Sequence, residues 1–347
     1  MKWRCVVMFV IVIMFIYNNV SGQIESRKIE KVMPVAAQTY EGTKNFLGKD
    51  AYQYVGQELY LKPLSVGLQE TGYKDFVKDY TKPQHGLGLL GLGLLGLGLL
   101  GRSTSNVYNC CSDKGDNSNY KKMAGRYFKV LEVIPHPKAK ESISQYGSTY
   151  FFKLQAKDNS DILFYQYDAQ FESAFPFIVV GFFEKQKRDL VGKEYVIRGK
   201  NWWSGDKPLT DINTGQSVEL SAGSIWKGVD FVIEERFEEP VLILQNNKGK
   251  QVFIMHQILT DTSFNWIFKK EDADRYRAMY GDENWDLILR SKVKHSMTME
   301  MCRLSWGKPK YINKTAASFG TREEWVYSTE NYLYFNGDKL SDFHSNE

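Results

Sequence analysis

The chain has 347 residues, a formal net charge of +4, 25% charged residues and 14% aromatic residues. This length is sufficient for about two to four small domains. Charges of both signs are interspersed and nearly balance, which argues against nucleic acid as a partner. Tyr and Phe dominate the aromatic residues, and such a composition is typical of β-sheets with half-buried faces.

Residues 1–22 have the features of a secretory signal peptide. Lys2 and Arg4 precede an apolar run from Cys5 to Tyr17, and Val20-Ser21-Gly22 provides small residues before a cut at Gln23. The run is shorter than the roughly 20 apolar residues that a membrane-spanning helix needs. We therefore expect an exported protein, with an uncleaved membrane anchor as the alternative.

A short glycine-containing motif occurs three times along the chain. The copies are Val55–Leu61, Ala124–Val130 and Val191–Ile197, and each has a small residue, a glycine, polar residues and a β-prone run. This pattern predicts a turn that leads into a strand. The spacing is about the size of one small β-barrel. After a lead-in over 23–50, the motif predicts three units, at 51–123, 124–190 and 191–262.

Residues 86–101 interrupt the first unit with Gly-Leu-Gly-Leu-Leu repeats. Gly86, Gly88 and Gly91 match the glycine spacing of a dinucleotide-binding loop, but no strand precedes them and no helix-compatible segment follows. We expect no nucleotide and no other cofactor. We interpret the segment as a repeat expansion, and the alternative is a peripheral contact with a membrane or a partner.

Three cysteines remain after the leader: Cys110, Cys111 and Cys302. In an oxidising compartment this odd number leaves at least one thiol without a partner. Adjacent cysteines bridge each other only in a strained ring, so a disulfide from one of them to Cys302 is geometrically easier. The other interpretation leaves all three unpaired. No His/Cys spacing typical of a zinc site occurs, so we expect no metal.

The second and third units contain about five short β-prone segments each, separated by turn signals. Lys157–Asp161 and Asn246–Gly249 are predicted hairpin turns, and Phe175–Phe183 is a predicted strand. A glycine before the first strand and a late Asn-x-Lys-Gly hairpin resemble bacterial SH3-like domains. This resemblance implies small β-barrels that bind peptides or cell-wall components and rarely catalyse.

Residues 263–292 are predicted as a helical connector. A short helix follows, with Ser296 or Thr298 as its cap and Gly307 as its stop, and then strands with an Asn336-Gly337 turn. This order resembles the BamE-like (SmpA/OmlA) domain of bacterial envelope proteins over 293–347. The matching positions are Met297, Thr298, Gly307, Pro309, Trp325, Tyr327, Phe335 and Gly337, while Ser296 replaces a turn glycine. The resemblance implies a scaffold role, with Trp325 and Tyr327 in the core.

Trp202 and Trp203 are the candidate ligand-binding residues. Adjacent residues in a strand face opposite sides, so at least one ring is expected outside the core, where it could stack on a sugar or a peptide. In the alternative, one ring packs and the other is incidentally exposed. No catalytic residue is predicted, since Cys302 lies in a helical pattern without a nucleophile motif and the five histidines are scattered.

Taken together, the patterns predict a mainly β protein with tandem small SH3-like β-barrels followed by a small α+β, BamE-like domain. The expected function is that of a non-enzymatic bacterial envelope scaffold in the periplasm, at the cell surface or secreted. Its expected partner is a protein or a peptidoglycan or glycan ligand. The alternatives are an envelope hydrolase and a surface adhesin that uses the Gly-Leu segment.

Overall fold

A computed structural model describes residues 40–82, 105–140, 145–199, 209–260, 266–317 and 320–345. The predicted signal peptide, the Gly-Leu segment and Trp202-Trp203 lie outside these residues. Strands make up 38% and helices 25% of the structure, and the sheets of the described part are antiparallel and open. The prediction of a mainly β protein is therefore confirmed.

The first sheet lies within residues 58–179. The strands of this region are β1 (Glu58–Leu61), β2 (Phe76–Val77), β3 (Cys110–Ser112), β4 (Gly115–Ser118), β5 (Tyr127–Pro135), β6 (Thr149–Ala156), β7 (Ile162–Asp168) and β8 (Phe177–Val179). Strands β3 and β4 form a separate hairpin, and the other six form one sheet in the order β2-β7-β6-β5-β1-β8. The rings of Phe76 on one edge strand and Phe177 on the other lie only 5.8 Å apart. The sheet therefore curves strongly and brings its two edges together.

Short helices and one longer helix accompany this sheet. They are α1 (Val66–Gln69), α2 (Tyr120–Met123), α3 (Val180–Leu190) and 3-10 helices at Gly48–Tyr54, Gln145–Ser148 and Glu172–Ala174. The strand predicted over Phe175–Phe183 is wrong in its second half, because β8 ends at Val179 and α3 begins directly after it. Phe182 and Leu190 are the buried residues of α3. The polar residues between Phe182 and Leu190 belong to the same helix. The prediction failed because a short apolar run such as Phe175–Phe183 does not by itself distinguish a helix from a strand.

The second sheet lies within residues 194–269. Its region contains β9 (Glu194–Ile197), β10 (Leu209–Thr210), β11 (Ser217–Val218), β12 (Ile225–Glu234), β13 (Glu239–Gln245), β14 (Gln251–Met255) and β15 (Ile267–Lys269), with helices α4 (His256–Thr260) and α5 (Lys270–Tyr280). Strands β10 and β11 pair only with each other, and the other five form a sheet in the order β14-β13-β12-β9-β15.

The two sheets share one arrangement. In each, the short first strand (β1 or β9) lies between a long strand (β5 or β12) and the short last strand (β8 or β15), which runs directly into an 11-residue helix. Glu58 of β1 is opposite Lys129 of β5, and Glu194 of β9 is opposite Lys227 of β12. Each long strand has one bulge, at Val130/Glu132 in β5 and at Gly228/Asp230 in β12. We call the first sheet with α3 the first module and the second sheet with α5 the second module.

Gly56 and Gly192 open the two modules in the same way. Their φ angles are 82° and 83°, a conformation that glycine adopts without steric cost. The N–H of Gly56 donates to the carbonyl of Val130, and that of Gly192 donates to the carbonyl of Gly228, both at 2.8 Å. These two copies of the sequence motif are therefore structurally equivalent.

Two of the predicted boundaries do not separate sheets. The middle motif, Ala124–Val130, leads into β5, which pairs with β1, so 51–123 and 124–190 contribute to one sheet. The boundary after residue 262 falls before β15, which pairs with β9, so the predicted connector supplies the last strand of the second sheet. A glycine turn marks where a strand begins but does not specify which strand it joins.

The C-terminal unit consists of two helices and a meander. Its elements are α6 (Asp282–Leu289), α7 (Met299–Trp306), β16 (Tyr311–Ala317), β17 (Gly320–Val326), β18 (Tyr332–Asn336) and β19 (Lys339–His344). The predicted cap and stop are confirmed: Thr298 Oγ1 accepts from the N–H of Met301 at 3.2 Å, and α7 ends before Gly307. Trp325 is fully buried, as expected, and its ring lies 4.6 Å from that of Phe335.

Arg198, at the end of β9, joins the second module to the C-terminal unit. Its guanidinium is buried and donates to the carbonyls of Ile288 and Leu304 at 3.0 Å each, and also to the carbonyl of Ser305. These carbonyls lie at the C-terminal ends of α6 and α7, where the helix dipole favours a positive charge. Burial lowers the pKa of Arg198 to about 9.

Candidate binding cleft between the two modules

The candidate site is a cleft of about 870 Å³ that lies, among the described residues, between the first and second modules. The N-terminal segment over residues 43–46 forms one rim. The lining residues are Thr43, Lys44, Asn45, Phe46, Lys62, Glu172, Ser173, Phe175, Ile178, Phe182, Glu239, Pro240, Met255, His256, Gln257 and Thr260. The cleft thus combines apolar walls with charged and hydroxyl groups.

Asn45 fixes the N-terminal rim to the edge of the first sheet. Its Nδ2 donates to the carbonyl of Phe177, and its Oδ1 accepts from the N–H of Val179, both at 2.8 Å. The Asn45 side chain therefore provides hydrogen-bond partners for a carbonyl and an N–H of β8, as the backbone of a neighbouring strand would. Tyr40 donates its hydroxyl to the carbonyl of Lys44 at 2.7 Å, which further holds this rim in place.

His256 stands on the wall that the second module provides. Its ring meets the rings of Phe182 and Phe231 at 5.5 and 5.6 Å, and its Nε2 is 3.0 Å from Oε1 of Gln186. Burial lowers the pKa of His256 below its usual value, so the imidazole is neutral near pH 7. The polar partner of the ring is thus the side-chain amide of Gln186.

Acidic residues at the β12–β13 turn hold the two modules together beside the cleft. Lys62 Nζ lies 2.6 Å from Oε1 of Glu239, and the Lys62 side chain is only 15% exposed. Oε1 of Glu238 accepts from the N–H of Ser65 at 2.9 Å, and Oε1 of Glu235 accepts from Gln69 Nε2 at 3.1 Å. These contacts define the relative position of the two cleft walls.

The arrangement suits a ligand that has apolar side chains and charged ends. Pockets that bind such molecules are mostly apolar, with a few polar groups that fix orientation. The half-buried Phe46 and the largely buried Phe175 and Phe182 line the walls, while Lys44 and Glu172 offer charges of opposite sign at the rim. A peptide meets this description, because its side chains can contact the walls while its ionised groups reach the rim.

The structure joins Cys110 to Cys111 in a disulfide, so both expectations for these residues, a bridge to Cys302 and three unpaired thiols, are wrong. Cys302 lies in the core of the C-terminal unit with no exposed surface and has no disulfide partner among the described residues. Burial raises the pKa of its thiol to about 12. A thiol in this environment is not a nucleophile near neutral pH.

The sequence did not reveal the cleft. Its walls come from three stretches, around residues 43–62, 172–182 and 239–260, that only the tertiary fold brings together. The predicted site at Trp202 and Trp203 lies outside the described residues and stays a prediction. Among the parts of the chain that are described, no helix is both long enough and apolar enough to cross a membrane.

Comparisons of the chain with protein-family models, with curated proteins and with solved structures found no match.

Proposed function

We propose that the protein is a non-enzymatic, exported binding and scaffold protein of the bacterial cell envelope. Its ligand is a peptide, either the stem peptide of peptidoglycan or a segment of another protein. The observation that carries the proposal is the cleft of about 870 Å³ between two modules that share the order of five strands. Clefts between domains are common places for ligands.

The resemblance to bacterial SH3-like domains supports this function once its boundaries are moved. We take the first SH3-like unit to run from Gly56 to the end of α3, and the second from Gly192 to the end of α5. The antiparallel sheets of six strands in the first module and five strands in the second are compatible with this assignment. The helices and four-stranded meander after residue 281 are likewise compatible with the expected BamE-like unit.

The test is retention of the secreted chain on purified peptidoglycan. Ser173→Trp and Thr260→Trp place a large ring at exposed positions of the cleft lining, and Thr321→Trp adds the same ring to exposed β17 as a matched control. We expect the two cleft variants to lose about tenfold in affinity, or about 1.4 kcal/mol, and the control to bind like wild type. Free stem peptide should compete with the sacculi for the cleft.

The outcomes separate the versions of the proposal. If the wild-type protein is not retained on peptidoglycan, a wall ligand is excluded. If the wild type and all variants are retained equally, the cleft is not the binding site. Trp202→Ala and Trp203→Ala form a separate arm that tests the predicted aromatic site. Loss of retention in that arm alone would move the binding site to the 200–208 segment.

The two alternatives have their own tests. A hydrolase that uses Cys302 is disfavoured by the burial of that thiol, and it requires hydrolysis of wall fragments that Cys302→Ala abolishes. An adhesin requires the Gly-Leu segment, and unchanged membrane partition after deletion of residues 86–101 would remove this alternative.

A further inference from the structure

We propose that the β3–β4 hairpin is a thiol-dependent binding site for one soft divalent cation, of the class of Zn²⁺ or Cd²⁺. The Sγ atoms of Cys110 and Cys111 and a carboxylate oxygen of Asp116 all lie within 4.8 Å of one another. Cys111 and Asp116 are exposed and Cys110 is half-buried, so an ion can reach all three. Two thiolates and a carboxylate are ligands that these cations accept.

The backbone that carries these donors is fixed to the first module. Ser118 and Tyr73 exchange two backbone hydrogen bonds of 3.0 Å, and Ser118 Oγ donates to the carbonyl of Tyr108 at 2.6 Å. The Nδ2 of Asn119 donates to the carbonyl of Cys111 at 3.2 Å. A site on a fixed frame loses less conformational entropy when it binds an ion.

The site becomes available only after reduction, because a disulfide offers no thiolate. A dithiol reductant such as dithiothreitol breaks the Cys110–Cys111 bond, becomes a cyclic disulfide, and delivers two electrons and two protons to the cysteine sulfurs. When the cation binds, the two thiols release their protons to solvent and form two metal–sulfur bonds. The carboxylate of Asp116 provides the third bond, and water fills the fourth position.

In the disulfide the two sulfur atoms are bonded to each other, so after reduction the side chains of Cys110 and Cys111 must rotate apart before both can bind one ion. Bonds of about 2.3 Å to sulfur and about 2.1 Å to oxygen place tetrahedral donors about 3.6 to 3.8 Å apart. Asp116 is exposed, and its carboxylate lies within 4.8 Å of both sulfur atoms. Asp113, on the turn between β3 and β4, is also exposed but is not part of the cluster, so it is a matched control for Asp116.

The experiment titrates Cd²⁺ into the reduced full chain after anaerobic removal of dithiothreitol and follows the ultraviolet thiolate-to-cadmium charge-transfer band. We expect one equivalent to bind. Loss of a hydrogen-bond partner of a ligand already costs about 10- to 100-fold in affinity, so Asp116→Asn should lose at least about tenfold. Asp113→Asn and Cys302→Ser should bind like wild type, and Cys110→Ser and Cys111→Ser should lose the band.

Three results would overturn the proposal: no band in the reduced wild type, an equal band in the oxidised protein, or equal affinity of the Asp116→Asn and Asp113→Asn variants. Far-ultraviolet circular dichroism of each variant verifies that the fold is retained. The site does not depend on the cleft, so failure here leaves the proposed function unaffected.

Discussion

Arg198 is the residue on which the junction between the second module and the C-terminal unit depends most. Its guanidinium donates hydrogen bonds to the C-terminal ends of two helices, at the carbonyls of Ile288, Leu304 and Ser305. A planar fork with five N–H donors can satisfy several acceptors in fixed directions, which a lysine ammonium cannot do in the same geometry. The arginine is therefore needed for its shape as well as for its charge.

We expect Arg198→Met to lower the free energy of unfolding by about 3 kcal/mol or more, because buried carbonyls that lose a charged donor each cost about 1 to 3 kcal/mol. Urea denaturation measures the change. Arg290→Met is the control, because Arg290 is 56% exposed and pairs only across one helical turn with Asp286. The control should change stability by less than about 1 kcal/mol. Equal effects of the two variants would show that the Arg198 contacts are not important for stability.

At the scale of elements, the bulge in β12 lies against the end of α3. A Cβ atom placed on Gly228 would lie 2.7 Å from the carbonyl oxygen of Leu190. The same carbonyl accepts the hydroxyl of Tyr195 at 3.0 Å, so it is not free to move away. Glycine at this position thus allows the helix of the first module to end directly on a strand of the second.

We expect Gly228→Ala to lower the free energy of unfolding by about 1 to 3 kcal/mol, because the added methyl group overpacks a tight contact. Thermal and urea unfolding test this. Gly67→Ala is the matched control, since Gly67 lies in α1 and a Cβ there meets no atom within 4 Å. Alanine in a helix is neutral or stabilising relative to glycine. A Gly228→Ala variant as stable as the control would contradict the tight contact.

The same elements show which features the sequence could predict. The Asn246–Gly249 turn, the Thr298 cap and the Gly307 stop depend on residues close in sequence, and all three are confirmed. The pairing of β1 with β5 and the partners of Arg198 depend on residues that are distant in sequence. A single sequence contains no local pattern that indicates which distant residues will be in contact. For this reason neither the shared strand order nor the cleft was predicted.

At the scale of the whole molecule, many tyrosines are protected from solvent. Burial raises the pKa well above the usual value for Tyr40, Tyr54, Tyr73, Tyr165, Tyr167, Tyr195 and Tyr327. Unfolded tyrosines ionise near pH 10. The unfolded chain therefore releases more protons than the folded chain above this pH, and alkali favours unfolding.

We expect the stability that these tyrosines contribute to be fully present below about pH 10 and to fall as the pH rises above it. Urea denaturation at several pH values, combined with tyrosinate absorbance, measures both events. Buried tyrosines should ionise only as the chain unfolds. Ionisation of all tyrosines near pH 10 in a folded chain would contradict this prediction.

Each of the two modules has a hydrophobic core of its own, and the cleft lies along the seam between them. Exposed seam residues such as Ser173 and Thr260 belong to neither core, so substitutions there leave the folding of both modules intact. A chain that repeats one unit thereby gains exposed seam positions at which natural selection can change ligand preference with little cost in stability. Related proteins should therefore differ most at this seam and least at the glycine turns that open each module.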